Sequence, residues 1–208
     1  MKKFLTILFV LTALSATSFS QSDATLAQQF MSNGEYDKAA DIYKKLYNEN
    51  ANSYYKSYYN CLLVLNDFKE IEKIIGKQIK NNPENLTYYV DLGYAYEKNG
   101  NTKERDKQWE LAIQKITDNK TQVNLLANAF VGLDQLYNAI KTYEKAQKIV
   151  STYSFNYELG GMYYRAGNLD LSVETYLDYY CLLYTSDAAD ERSSVTLGGR
   201  RSIKKKKN

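Results

Sequence analysis

The stretch that decides the fold is Leu92-Gly93-x2-Tyr96-x3-Gly100, followed beyond a loop by Trp109-x2-Ala112. The same skeleton returns further along the chain as Leu126-Ala127-x2-Phe130 and Tyr143-x2-Ala146. It returns once more as Leu159-Gly160-x2-Tyr163-x3-Gly167 and Tyr176-x2-Tyr179. A fixed period of about 34 residues is typical of an array of helix–turn–helix repeats.

These residues resemble the tetratricopeptide repeat (TPR) family, in which a small residue follows the leucine and aromatic residues mark both helices. The resemblance covers residues 21–180 and implies an all-α fold, a right-handed α-solenoid of about five repeats. We place the repeats at approximately 21–52, 53–85, 86–119, 120–152 and 153–180. The second repeat departs from the pattern, because Tyr59 stands where Gly93 and Ala127 stand elsewhere. We therefore expect looser or shifted packing in that repeat.

The N-terminal residues 1–20 are typical of a secretory signal peptide. Lys2 and Lys3 precede an apolar run from Phe4 to Leu14, and small residues lead to Ser20. The apolar run is shorter than the roughly 20 residues that a membrane span needs. We expect export of a bacterial protein to the periplasm or cell envelope, with cleavage after Ser20, and no transmembrane segment in the sequence.

The C-terminal residues 181–208 break the repeat pattern. Residues 181–190 can be written codon by codon as a sequencing adapter of the transposase type, and Lys204–Lys207 resembles poly(A) read-through. Thr196 and Ser202 depart from that translation, and a natural basic tail is the alternative. We interpret 181–208 as an artefactual, disordered tail on a fragment of a longer array, and exclude it from fold reasoning.

This exclusion reverses the sign of the net charge. The whole chain has 27 basic and 24 acidic residues, and the tail accounts for seven and three of them. Without the tail and the two N-terminal lysines, 18 basic and 21 acidic residues remain, a net charge of −3. A lysine run that could bind nucleic acid is absent from the repeats, so we expect no nucleic-acid partner.

The composition also argues against an enzyme. The chain has no histidine, which removes the commonest general base and most zinc and copper sites. Cys61 is the only cysteine before the tail, so no internal disulfide is expected, and a small packed side chain is its simplest interpretation. We predict no catalytic residues, no cofactor and no metal.

The resemblance implies a binding groove lined by the first helix of each repeat. By position within the repeat, the candidate groove residues are Gln28, Lys56, Asn60, Tyr94, Asn124, Asn128, Tyr157, Tyr164 and Arg165. Tyr, Asn and Arg suit an extended peptide, because they combine aromatic contact area with hydrogen bonds to backbone. An ordinary polar surface is the alternative.

A subfamily of these repeats grips C-terminal carboxylates with Lys, Asn and Arg side chains. Lys56 and Asn60 fit the first two places, but Asp91, Thr121 and Leu125 do not fit the later ones. We therefore expect no carboxylate clamp. The favoured function is a non-enzymatic scaffold that binds a protein or peptide in the cell envelope. The alternatives are an envelope assembly scaffold and the N-terminal sensor portion of a longer signalling protein.

Overall fold

The computed structural model describes residues 23–185, and all its regular structure there is helical. Both the predicted signal peptide and residues 186–208 of the predicted tail lie outside the described part. The helices are α1 (23–32), α2 (Tyr36–Glu49), α3 (Ala51–Leu65), α4 (Phe68–Asn81), α5 (Thr87–Lys98), α6 (Thr102–Gln114), α7 (Lys120–Gly132), α8 (Leu136–Ala146), α9 (Asn156–Arg165) and α10 (169–185).

Taken in order, these helices form five helix–turn–helix pairs, which confirms the predicted all-α repeat architecture. The chain divides into two compact units, Met1–Gln108 (unit 1) and Trp109–Asn208 (unit 2), and the boundary falls inside α6. Each unit is described by itself below. The right-handed stacking of the whole array stays a prediction.

One turn geometry closes all five pairs. A residue with left-handed backbone conformation stands at each turn: Gly34, Asn66, Gly100, Asp134 and Gly167, with φ between 57° and 79°. The N–H of the next residue then donates to the carbonyl five positions earlier, in every pair: Glu35 to Phe30, Asp67 to Leu62, Asn101 to Tyr96, Gln135 to Phe130 and Asn168 to Tyr163. This is the 6→1 bond of a Schellman motif, which satisfies a carbonyl at the end of the first helix.

The second helix of each pair is amphipathic, as α4 illustrates. The Asp67 side chain accepts from the N–H of Glu70 and caps the first turn. Ile71, Ile74 and Ile75 follow at helical spacing and are buried. The helix ends at Asn81, directly before Asn82-Pro83, where proline cannot continue it.

Tyrosine forms much of the core of unit 1. Tyr47 and Tyr58 are buried with ring centroids 5.7 Å apart, and the Tyr55 ring meets that of Tyr88 edge-on at 5.1 Å. Cys61 is fully buried in the same cluster, as its interpretation as a packed side chain predicts. Aromatic pairs in such geometries are worth about 0.5–1.5 kcal/mol beyond the area they bury.

The core of unit 2 is built on two aromatic pairs and a close helix contact. Trp109 meets Phe130 edge-on with centroids 5.8 Å apart, and Tyr143 packs against Phe155 at 5.5 Å. Helices α9 and α10 approach each other at Gly160. A Cβ added there would lie 3.0 Å from three ring atoms of Tyr176, so the contact depends on glycine.

The expected loosening around Tyr59 does not appear at that side chain, which is 1% exposed. Its ring stacks on Tyr55, and its hydroxyl donates to the backbone carbonyl of Asp91 on α5 at 2.7 Å. The large side chain therefore packs between the first helices of two successive repeats. A glycine or alanine there would not reach α5.

The boundary of the predicted tail does not coincide with the end of regular structure. Helix α10 continues through Tyr180 to residue 185, and residues 181–185 are all exposed on it. The prediction that the helical pattern stops after Tyr180 is therefore wrong for those five residues. A helical conformation carries no information on the origin of the codons, so the read-through interpretation stays a prediction.

Candidate partner-binding surface

The candidate groove residues lie on first helices: α3 and α5 in unit 1, and α7 and α9 in unit 2. We call the solvent-facing sides of each pair the first-helix surface of that unit. In unit 1, α3 and α5 lie side by side, because three side chains of α3 reach Asp91 on α5. These contacts set the chemistry of that surface.

Asp91 is the centre of a hydrogen-bonded cluster. Tyr55 Oη donates to Asp91 Oδ2 at 2.9 Å, and Lys56 Nζ lies 2.6 Å from Asp91 Oδ1. Burial raises the pKa of Tyr55, and the nearby carboxylate of Asp91 raises it further. The candidate groove residue Lys56 is thus already paired, and its Nζ also lies 4.8 Å from the centroid of the Tyr59 ring. The pairing lowers the charge that either residue offers to a partner.

The other two candidates of unit 1 differ in exposure. Asn60 is exposed on α3, whereas Tyr94 is half-buried on α5. Lys98 Nζ lies 5.0 Å from the centroid of the Tyr94 ring, within cation–π range. Gln28 on α1 accepts a hydrogen bond from Tyr43 Oη at 3.3 Å. Of these residues, Asn60 offers its amide most openly.

In unit 2, the two candidates on α7 are asparagines. Asn128 is exposed, and Asn124 is half-buried. Asn124 Oδ1 is shielded from solvent and has no hydrogen-bond partner among the described residues. Such an acceptor costs about 1–3 kcal/mol relative to a paired one. A donor from a partner would remove that cost after a rotation of the side chain.

The candidates on α9 form the aromatic part of the unit 2 surface. Tyr164 and Arg165 are exposed near the end of the helix. Tyr157 is also exposed, but its ring already contacts two tyrosines of α10, with centroid distances of 5.8 Å to Tyr176 and 5.4 Å to Tyr179. Tyr157 therefore contributes to packing as well as to the surface.

Sequence reasoning missed Glu158, which joins this surface. Tyr153 Oη donates to Glu158 Oε1 at 2.8 Å, while Glu158 Oε2 is shielded and has no partner in the described part of the chain. Burial raises the pKa of Tyr153 to about 12, and the hydrogen bond to Glu158 adds to the shift. Lys120 Nζ lies 3.3 Å from the centroid of the Tyr153 ring.

The repeat period could have revealed Glu158. Asp91, Asn124 and Glu158 follow one another at the repeat period, so they occupy one position in three successive repeats. Each offers a side-chain oxygen that accepts hydrogen bonds. In unit 1 the acceptor is satisfied by Tyr55 and Lys56, whereas in unit 2 Asn124 and Glu158 each keep an oxygen without a donor.

Other kinds of site have little support in residues 23–185. No group of three His, Cys, Asp or Glu residues there could hold a metal ion. Burial raises the pKa of Cys61 to about 11, so its thiol is protonated at neutral pH and is a poor nucleophile. Among the helices described, none is long and apolar enough to cross a membrane.

No protein-family model matches the sequence, and no curated protein does. The solved structures that it resembles include MamA residues 41-end from Desulfovibrio magneticus RS-1, at 18% identity and a TM-score of 0.40, with 81% of this chain and 97% of that chain covered. A thermophilic TPR protein of Thermus thermophilus is 17% identical, with a TM-score of 0.38 and coverage of 76% and 89%. A putative kinesin light chain of Podosopora anserina with nearly identical TPR-like repeats is 17% identical, with a TM-score of 0.41 and coverage of 81% and 97%.

Proposed function

We propose that the protein is a non-enzymatic scaffold of the cell envelope that binds an extended protein segment on its first-helix surfaces. The observation that carries this proposal is the unit 2 surface. There, exposed Tyr164, Arg165 and Asn128 lie on the same two helices as the unpaired oxygens of Asn124 and Glu158. Aromatic area and arginine are enriched where proteins bind one another, and unpaired acceptors suit backbone N–H groups.

The two surfaces would contribute differently to such binding. In unit 1, Lys56 and Asp91 neutralise each other, so that surface offers mainly the Asn60 amide and the half-buried Tyr94 ring. In unit 2 the acceptors keep their capacity, and Tyr164 and Arg165 are exposed. We therefore assign the main contribution to unit 2.

The experiment selects binding peptides from a random extended library displayed on phage, using the full chain as bait. Affinities of the selected peptides are then measured for Tyr164→Ala and Asn128→Ala. We expect each variant to weaken binding by about 1 kcal/mol or more, roughly fivefold, because both remove exposed contact groups of this surface.

Tyr137→Ala is the matched control. Tyr137 is also an exposed tyrosine of unit 2, at 71% against 66% for Tyr164, but it lies on the second helix α8. Equal losses for Tyr137→Ala and Tyr164→Ala would assign binding to the other side of the repeats. Normal binding by both Tyr164→Ala and Asn128→Ala would contradict the proposal.

Export is the second part of the proposal, and the sequence of residues 1–20 is its only support. Mass spectrometry of the protein from a bacterial envelope fraction tests it. A mature N-terminus at Gln21 is expected, and an intact Met1 in the cytoplasmic fraction would contradict it.

A further inference from the structure

Helix α10 presents an unpartnered apolar stripe to solvent. Leu169, Val173, Leu177 and Tyr180 recur at steps of four, four and three residues, so they lie on one side of the helix. Their side chains are 57–60% exposed. Contiguous exposed apolar groups of this kind mark sites of protein interaction.

The opposite side of α10 is the one that packs within unit 2. Ser172 is buried and donates its hydroxyl to the carbonyl of Gly160 on α9 at 2.9 Å. Tyr176 lies against Gly160, and Tyr179 against Tyr157. The helix is thus fixed by one face, and the apolar stripe is not needed for that attachment.

A row of three acids borders the stripe. Asp170, Glu174 and Asp178 follow each other at steps of four, each one position after a stripe residue, and all are exposed. No ion pair joins any of them to another described residue. Residues 169–185 contain no lysine or arginine, so every charge on this helix is negative.

From this arrangement we propose that α10 docks a partner helix whose apolar stripe is flanked by lysine or arginine. Burial of the two stripes would supply the attraction, and the acidic row would select the charge of the flank. The proposal uses residues 169–180 only, and it is independent of the first-helix surfaces.

The same charges disfavour a second copy of α10 as the occupant. Pairing of two α10 helices through their stripes brings one acidic row towards the other, and no residue of either helix offsets the repulsion. Like charges placed together across an interface oppose association. A basic partner gains from the row that a second α10 would have to overcome.

The test uses the full chain and two synthetic amphipathic helical peptides of about 18 residues, which is about five helical turns. Both carry the same leucine stripe, and one has lysine flanks where the other has glutamate. We expect the lysine peptide to bind about tenfold more tightly in fluorescence anisotropy, and this preference to shrink as salt is added.

Two sets of variants separate the contributions of stripe and row. Leu177→Ser is expected to weaken the binding of the lysine peptide at least fivefold, with unchanged far-UV circular dichroism because the side chain is exposed. The triple variant Asp170→Asn, Glu174→Gln, Asp178→Asn is expected to abolish the preference for lysine. The control Asp37→Asn, Asp41→Asn neutralises exposed acids of α2 and is expected to change nothing.

Three results would overturn the proposal. Equal affinity for the two peptides would show unselective apolar adhesion. A dimer in sedimentation velocity that Leu177→Ser dissociates would make a second copy the occupant. Peptide binding that appears only when Lys204–Lys207 are replaced by glutamine would make the basic residues of this chain the occupant.

Discussion

Replacement of Gly160 by alanine tests the close approach of α9 and α10. A Cβ at this position would lie 3.0 Å from Cγ, Cδ1 and Cε1 of Tyr176. Carbon atoms in good contact are about 3.5–4.0 Å apart, so the ring must retreat by roughly 0.5 Å or more. Cγ and Cδ1 belong to the base of the ring, and the ring also contacts Tyr157, which limits that movement.

The expected magnitude combines two opposing effects. Overpacking a well-filled contact costs about 1–3 kcal/mol. Exchange of glycine for alanine within a helix returns about 0.5–1 kcal/mol, because the unfolded chain loses less entropy. We therefore expect Gly160→Ala to lower the free energy of unfolding of unit 2 by about 1–2 kcal/mol.

Urea unfolding followed by tryptophan fluorescence measures this change. Trp109 is the only tryptophan of the chain, is 3% exposed and contacts Phe130, so its emission reports on the core of unit 2. Gly132→Ala in the same unit is the matched control, since a Cβ there meets nothing within 4 Å. It is expected to leave stability unchanged or raise it by up to about 1 kcal/mol. If Gly160→Ala stabilises unit 2 as much as Gly132→Ala does, the reasoning about this contact is refuted.

Three further predictions concern buried hydroxyls and charge. Burial raises the pKa of Tyr143 to about 12 from its ordinary 10, so its contribution is complete below pH 10 and is lost as the pH rises towards 12; Tyr143→Phe should flatten the loss of unit 2 stability in that window, and an unchanged alkaline profile would contradict this. Tyr55→Phe should cost about 1–2 kcal/mol in urea unfolding monitored by circular dichroism, because a buried hydroxyl loses its bond to Asp91, whereas Lys56→Met should cost less than about 1 kcal/mol since Lys56 is 61% exposed; the reverse order would refute this account of the cluster. The hydrogen bond and charge of Lys141 lower the pKa of Glu110, so this pair stabilises unit 2 above the ordinary pKa of glutamate and loses its effect as the pH falls below it; Glu110→Gln should make acid unfolding of unit 2 less steep, and a steeper transition would argue against the pair.

The helix pairs could be predicted from the sequence because the signal repeats. Leucine, a small residue and an aromatic recur once in each repeat from the third onward, and Gly34, Gly100 and Gly167 mark three of the five turns. The other two turns use Asn66 and Asp134, whose short polar side chains tolerate left-handed backbone. Their places follow from the period rather than from the residue type.

The candidate surface was less predictable, because position within a repeat does not reveal what a side chain contacts. Lys56 has the expected place on α3, yet its charge is paired with Asp91, which sequence reasoning considered only as an obstacle to a clamp. Tyr157 is exposed but also packs against α10. Glu158 was missed because it lies beside an aromatic residue that drew attention, although the period aligns it with Asn124.

The recurrence of one turn geometry has a consequence for the kinetics of folding. Each turn is closed by a hydrogen bond between residues only five positions apart, and the two helices that it joins are neighbours in sequence. Contacts between such neighbours form fast, because little chain entropy is lost when a short loop closes. Five similar sites for nucleation therefore lie along the described chain. Glycine occupies three of them, and the turns at Asn66 and Asp134 are expected to close more slowly, since a side chain disfavours the left-handed conformation that the closing bond requires.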